Sequence, residues 1–190
     1  MAGPLWSDPI HDPAIAPALR RMLEADTSAF PGYEKVHALL VAVEEELNDV
    51  PLYTNSHHAC SVLKCTPPPT VLIRSALVNA GYRVSSTHAN PLGLKTDAPP
   101  GVMWDILRCW VRDHPVKKPG EDTPGNRILG KQPQLEANFA RARAAFSKAK
   151  EDGVVRFPGN PEAYWGPKMR HGRTVPEQGA AVKDDKKRKR

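Results

Sequence analysis

Twenty prolines and thirteen glycines in 190 residues punctuate the chain so often that part of it must be extended or irregular. The core must then be smaller than the length suggests, and the length itself fits one medium domain, or a small one with tails, rather than a large self-sufficient enzyme. An apolar fraction of 40% and a mean hydropathy of −0.50 still lie on the folded side of the boundary with disordered chains.

Between the breaks the hydrophobic period switches repeatedly. Ile15, Leu19, Met22 and Leu23 predict a helix from Pro13 to Ala25, with Asp12 as its N-cap. Val36, Leu39, Leu40, Val43 and Leu47 predict a second over 33–48, with Glu44, Glu45 and Glu46 turned outward. A short extended piece over 50–53 precedes a helix from Thr54 to Lys64 that buries Ala59, Val62 and Leu63. Another helix restarts after Thr66-Pro67, carries Val71, Ile73, Leu77 and Val78, and stops at Gly81. Two strands, 82–88 and 94–96, flank the turn Asn90-Pro91-Leu92-Gly93. The order helix, strand, helix, helix, strand, turn, strand is that of a winged helix.

The fold class read from this order is α+β and mainly helical: a winged-helix-like domain over 13–114, completed by an added helix from Gly101 to His114 whose Met103 and Trp110 serve the core. Residues 115–177 read as a Pro/Gly-rich linker, a helix over 134–152 with Leu135, Phe139, Ala142 and Phe146 on one stripe, and an aromatic segment around Tyr164 and Trp165. Residues 178–190 form a basic tail expected to be disordered, and 1–12 are too short to make a core alone.

Charge divides the chain. Residues 1–100 hold 7 basic and 10 acidic side chains, net −3, and the remainder 20 and 11, net +9, so the C-terminal half is the part suited to a polyanion. Three cysteines, an odd number, read as reduced thiols, and no apolar run approaches the ~20 residues of a membrane span. Neither a phosphate-cradling glycine loop nor a Cys-x-x-Cys pair occurs. His57, His58, Cys60 and Cys65 make a poor zinc set, because neighbouring histidines diverge on a helix. No catalytic, cofactor-binding or metal-binding residue is therefore assigned.

Candidate polyanion contacts are Arg74 on the expected recognition helix, Arg83 and Lys95 on the two wing strands, Arg156 and Lys168 around Tyr164-Trp165, and the terminal Lys186, Lys187, Arg188, Lys189 and Arg190. Tyr164 and Trp165 would either stack on an unpaired base or strap onto the protein. The irregular path set by Asn160-Pro161 and Gly166-Pro167 favours the strap. The terminal basic run reads as a nuclear localisation signal, with a polyanion-binding arm as the alternative.

A series of motifs carries a more specific message. Gly3-Pro4-Leu5-Trp6, Ile10-His11-Asp12, Pro51-Leu52-Tyr53, Arg74-Ser75-Ala76-Leu77, Asn79-Ala80-Gly81-Tyr82-Arg83-Val84-Ser85, Thr87-His88-Ala89-Asn90-Pro91, Lys95-Thr96-Asp97, Trp104-Asp105-Ile106, Leu135-Glu136-Ala137-Asn138-Phe139 and Trp165-Gly166-Pro167 occur in this order. Together they resemble the C-terminal part of the eukaryotic tRNA (guanine-26 N2)-dimethyltransferases. The resemblance implies a tRNA-binding region whose parent enzyme moves methyl groups from S-adenosylmethionine to the exocyclic amine of a tRNA guanine. It also implies that the donor-binding catalytic domain lies upstream of Met1, with 1–12 as its residual end, so that this chain is a fragment without a cofactor of its own. The expected setting is nuclear, shared with mitochondrial or cytosolic pools, and without a membrane.

The sequence departs from the family where Asp8 stands in place of a glycine. Neither Asn90-Pro91 nor Asn160-Pro161 reproduces the Asp-Pro-Pro-aromatic type of motif that grips a target amine. A stand-alone winged-helix module for DNA or protein partners is the alternative reading.

Overall fold

In the computed structural model the described residues are 4, 6–30, 32–115, 122–147, 149 and 152–159. Residues 1–158 form one compact unit and 159–190 a second, of which only Gly159 is described. The predictions for Tyr164, Trp165, Lys168 and the tail from Lys186 to Arg190 therefore lie outside the described residues.

The first unit is α+β. Its elements are α1 (Ile15–Ala25), α2 (Tyr33–Glu45), β1 (Thr54–Asn55), α3 (Ser56–Leu63), α4 (Thr70–Asn79), β2 (Val84–Ser86), β3 (Gly93–Thr96), α5 (Pro100–Asp113) and α6 (Pro124–Leu129). Three strands make one antiparallel sheet in the order β1-β3-β2, with Thr54 opposite Leu94 and Ser85 opposite Lys95. Gly93 is required where β3 begins, because a β-carbon there would collide with the Thr87 methyl and the Tyr53 ring.

Capping chemistry sets several boundaries. Asp12 accepts from the Ala14 amide at 2.8 Å, but α1 begins at Ile15 rather than at Pro13. Asn55, not Thr54, caps α3 by accepting from the His57 and His58 amides, and Lys64 closes that helix at φ 57°. Pro69 holds the extended conformation before α4, and Gly81 follows that helix at φ +87°.

α5 organises the core through two faces. Met103 and Ile106 pack with Ile73, Ala76 and Leu77 of α4 and Leu94 of β3, while Leu107 packs with Cys60 and Leu63 of α3. Ile128 and Leu129 of α6 close the second cluster, and Gly125 of α6 lies so near the Val62 carbonyl that no side chain fits.

Four expectations are corrected. The expected apolar stripe of α1 faces solvent at Ile15, Leu19 and Met22, and only Leu23 of the four is buried. On α2 the buried stripe is Ala38, Val41 and Ala42, whose two small residues let α1 approach closely and leave Val36 and Leu39 exposed. Glu46 does not face outward, for α2 ends one residue earlier and the Glu46 side chain turns inside.

The fourth correction concerns 134–147, which hold no α-helix but an extended run ending in a 3-10 turn at Arg143–Ala145. Leu135, Ala137 and Phe139 alternate into the α4–α5 core, a period of two. Side chains of the helices provide the ladder that a neighbouring strand would. The Asp105 carboxylate accepts from the Gln134 and Leu135 amides at 3.1 and 3.2 Å, the Cys109 sulfur from Ala137 at 3.5 Å, and the Ser75 hydroxyl from Ala142 at 3.2 Å. The Asn79 amide group donates to the Asn138 and Ala140 carbonyls at 2.9 and 2.8 Å.

Candidate functional site

The sheet has two faces with different polar content. Alternation along β2 and β3 sends Ser85 and Lys95 to one side and Ser86 and Leu94 to the other. On the first side Glu46 and Lys95 form a buried ion pair, Nζ to Oε1 at 2.9 Å, with side chains 1% and 3% exposed. Lys95 also donates to the Leu47 carbonyl at 3.1 Å. Glu46 accepts from the His88 amide and Nδ1, both at 2.7 Å, and from the Thr87 hydroxyl at 3.2 Å. Burial pushes the Glu46 carboxyl up, but the Lys95 ammonium and the His88 donors more than offset it, and the net shift is downward. A phosphate would have to displace Glu46 to reach Lys95.

On the other side stands Arg74, a residue only 9% exposed. One guanidinium nitrogen donates to the Ser86 hydroxyl at 3.0 Å, and Nε is buried without a partner. Burial first, and then the positive charge of Arg156, lower its pKa, while Glu45 acts in the opposite sense. Arg156 is half-buried, its guanidinium 5.9 Å from the centre of the Phe157 ring. Arg83, more than half exposed, is shared between Asp49 at 2.7 Å and Asp97 at 2.8 Å. Of the sequence-derived cations that are described, the structure gives Lys95 and Arg83 protein carboxylates and Arg74 the Ser86 hydroxyl.

The α4 face expected to read a nucleic-acid groove is covered. Ile73, Arg74, Ser75, Ala76 and Leu77 are all buried, in part beneath the extended run 135–142. Cys60 is buried and its thiol is pushed up to about 12 by burial and by the Cys65 thiol, so it packs as a neutral apolar group while His57 and His58 stay exposed.

Sequence reasoning missed Glu46, Thr87 and His88 as a network. The signal for it was a carboxylate directly following the last apolar turn of α2, with a Thr-His pair before the Asn90 turn.

A cleft of about 810 Å³ opens between β1, α3 and α5, lined by Leu52, Tyr53, Asn55, His58, Asn90 and Trp104 among others. Its lining includes no carboxylate, and the Asn55 and Asn90 carbonyl oxygens accept from local amides. The lining of this cleft therefore does not offer the acidic partner that the ribose hydroxyls of S-adenosylmethionine call for.

Comparison with known proteins gives the chain a family. Residues 1–108 match the model for N2,N2-dimethylguanosine tRNA methyltransferase. A tRNA (guanine(26)-N(2))-dimethyltransferase 2 of Arabidopsis thaliana is 47% identical over 92% of this chain, and the Homo sapiens tRNA (guanine(26)-N(2))-dimethyltransferase 40% over 90%. A solved structure of Trm1 from Pyrococcus horikoshii with S-adenosyl-L-methionine is 31% identical and superposes with a TM-score of 0.49, covering 53% of this chain and 26% of that one. The chain spans about 30% of the length of the Arabidopsis relative and 26% of the human one. On the match over more than half of its residues and on these relatives, the chain belongs to the N2,N2-dimethylguanosine tRNA methyltransferase family.

Proposed function

We propose that this chain is the tRNA-binding C-terminal part of a tRNA guanine-N2 dimethyltransferase, and that its helix and hairpin arrangement is a winged-helix variant adapted to hold tRNA. The methyl donor is bound by the portion of the relatives that this chain does not span. The observation that carries the reading is the family match combined with the net +9 charge beyond residue 100. A polyanion held mainly through its phosphates needs cations on an irregular surface more than a groove-reading helix. The burial of α4 disfavours the alternative of a DNA-reading module, since its central residues have no free face to present. The terminal run from Lys186 to Arg190 supports a nuclear setting and a second, electrostatic hold on RNA.

The test is direct. Purified chain is titrated with tRNA and with an unrelated hairpin over a range of salt, and by calorimetry with S-adenosylmethionine. The expected result is preference for tRNA, a logarithm of affinity that falls linearly with log salt, and no heat from the methyl donor. Equal affinity for the hairpin, or micromolar donor binding, defeats the reading.

A further inference from the structure

We propose that Tyr53, Trp104 and the side-chain amides of Asn55 and Asn90 form a pocket for one unpaired nucleobase, supplied by the bound tRNA. The source of the base rests on the function proposed above; the pocket does not.

Three of these residues are gathered at the start of β3. Asn55 is the cross-strand partner of Gly93, the Gly93 amide donates to the Asn90 carbonyl at 3.0 Å, and a β-carbon on Gly93 would stand 2.9 Å from the Tyr53 ring. Glycine thus lets the ring lie against the strand, held along one edge while the residue stays 44% exposed. α3 and α5 supply the rest of the lining through His58, Ala59, Val62 and Trp104. Trp104 is steadied by packing on the cluster of Cys60, Leu63 and Leu107.

Each asparagine has one half of its amide committed and the other half spare. The Asn55 side-chain oxygen accepts from the His57 and His58 amides at 2.9 and 3.3 Å, and that of Asn90 from the Leu92 amide at 2.9 Å. These bonds fix which end of each amide is nitrogen. Neither NH2 group, nor the Trp104 indole N–H, meets an acceptor among the described residues.

The cleft of about 810 Å³ lies within the roughly 300–1,000 Å³ of small-molecule sites. Its lining holds no lysine, arginine or carboxylate, so it suits a neutral ligand rather than a phosphate or a peptide terminus. Aromatic faces for stacking, with oriented donors for ring nitrogens and carbonyl oxygens, are what hold an unstacked base. An apolar side chain of a partner protein would use the rings but leave the covered amide donors unsatisfied.

The test titrates the whole chain with a short mixed-sequence RNA, single-stranded and annealed to its complement. Tyr53→Ala should weaken the single strand about tenfold with the salt slope unchanged, because a stacking face is lost and no charge. Duplex affinity should stay as it was, since paired bases are already stacked. Asn55→Ser keeps the α3 cap, serine capping as well as asparagine does, but withdraws the NH2 group. It should weaken the single strand several-fold without lowering the melting temperature. Single-strand affinity undiminished in Tyr53→Ala, or strand and duplex weakened alike, overturns the pocket.

A second arm identifies the source of the base. Tyr53→Ala should weaken tRNA by a similar factor. If the wild type shows no preference for tRNA over an unrelated hairpin while Tyr53→Ala still loses the single strand, the functional reading falls and the pocket stands. If tRNA is preferred and Tyr53→Ala leaves its affinity unchanged, the assignment of the pocket to tRNA is overturned.

Discussion

Two cations are buried on opposite faces of the same three-stranded sheet, and the fold treats them oppositely. Lys95 is closed off by Glu46, Leu47, Thr87 and His88, so each charge and each polar atom has a partner. Arg74 makes one hydrogen bond to a neutral hydroxyl, and its Nε is buried without a partner. The first arrangement is complete within the protein, as expected of groups that fix a strand against a helix end. The second leaves one buried donor, the Arg74 Nε, without a partner. Burial alone thus does not tell these two cations apart; the accounting of partners does.

The largest test breaks the closed side. Glu46→Gln keeps the shape and removes the charge, which strands Lys95, and should lower unfolding free energy by about 3–5 kcal/mol in a denaturant titration. Acid should do the same gradually. Because the folded pKa of Glu46 lies below its ordinary value of 4.5, the contribution is present above that value and is lost as pH falls through the folded pKa. A stability profile flat between pH 5 and the acid transition of the Glu46→Gln chain would remove Glu46 from the fold's main supports.

A smaller effect should follow from Asp105, which anchors the extended run to α5. Asp105→Ala leaves the Gln134 and Leu135 amides and the Arg108 guanidinium without their acceptor, at about 2–3 kcal/mol. Hydrogen exchange should rise selectively over 134–142, because that run has no strand to hold it. Exchange rising equally throughout would mean that the run is integral to global unfolding. Gly125→Ala comes next, at about 1–3 kcal/mol, since a methyl against the Val62 carbonyl must push α6 off α3.

These sites also explain what could be read from the sequence. α4 and α5 were legible because apolar spacing marks both and Gly81 marks the end of α4, although α4 begins at Thr70 rather than after Thr66-Pro67. The run Leu135-Glu136-Ala137-Asn138-Phe139 was misread because its helix-forming residues satisfy a period of 3.6 almost as well as a period of two. The deciding interactions come from Asp105, Cys109, Asn79 and Ser75, 26 or more residues away in sequence. α1 and α2 were placed correctly but rotated, because their buried residues are Ala16 and Leu23 on one and Ala38, Val41 and Ala42 on the other, three of the five small. For the candidate site, the cationic character of Arg74 and Lys95 was visible, but their opposite surroundings on the two sheet faces were not.

The smallest effect should belong to Arg83, and it sharpens the comparison because Arg83 is a cation of the closed kind on the surface. Its guanidinium lies against both Asp49 and Asp97, so the three groups together carry a net negative charge. An exposed pair of this sort contributes little to stability, because water solvates the charges nearly as well apart as together. It should contribute little to RNA binding either, for a phosphate approaching Arg83 also approaches two carboxylates. Arg83→Gln should therefore leave melting nearly unchanged and weaken tRNA only slightly, with electrostatic repulsion from the freed aspartates accounting for any loss. Combining it with Asp49→Asn and Asp97→Asn separates the two causes: if the triple variant recovers the affinity, repulsion was responsible, and if it remains as weak as Arg83→Gln, Arg83 touches a phosphate and the rule drawn from Lys95 and Arg74 does not extend to the surface.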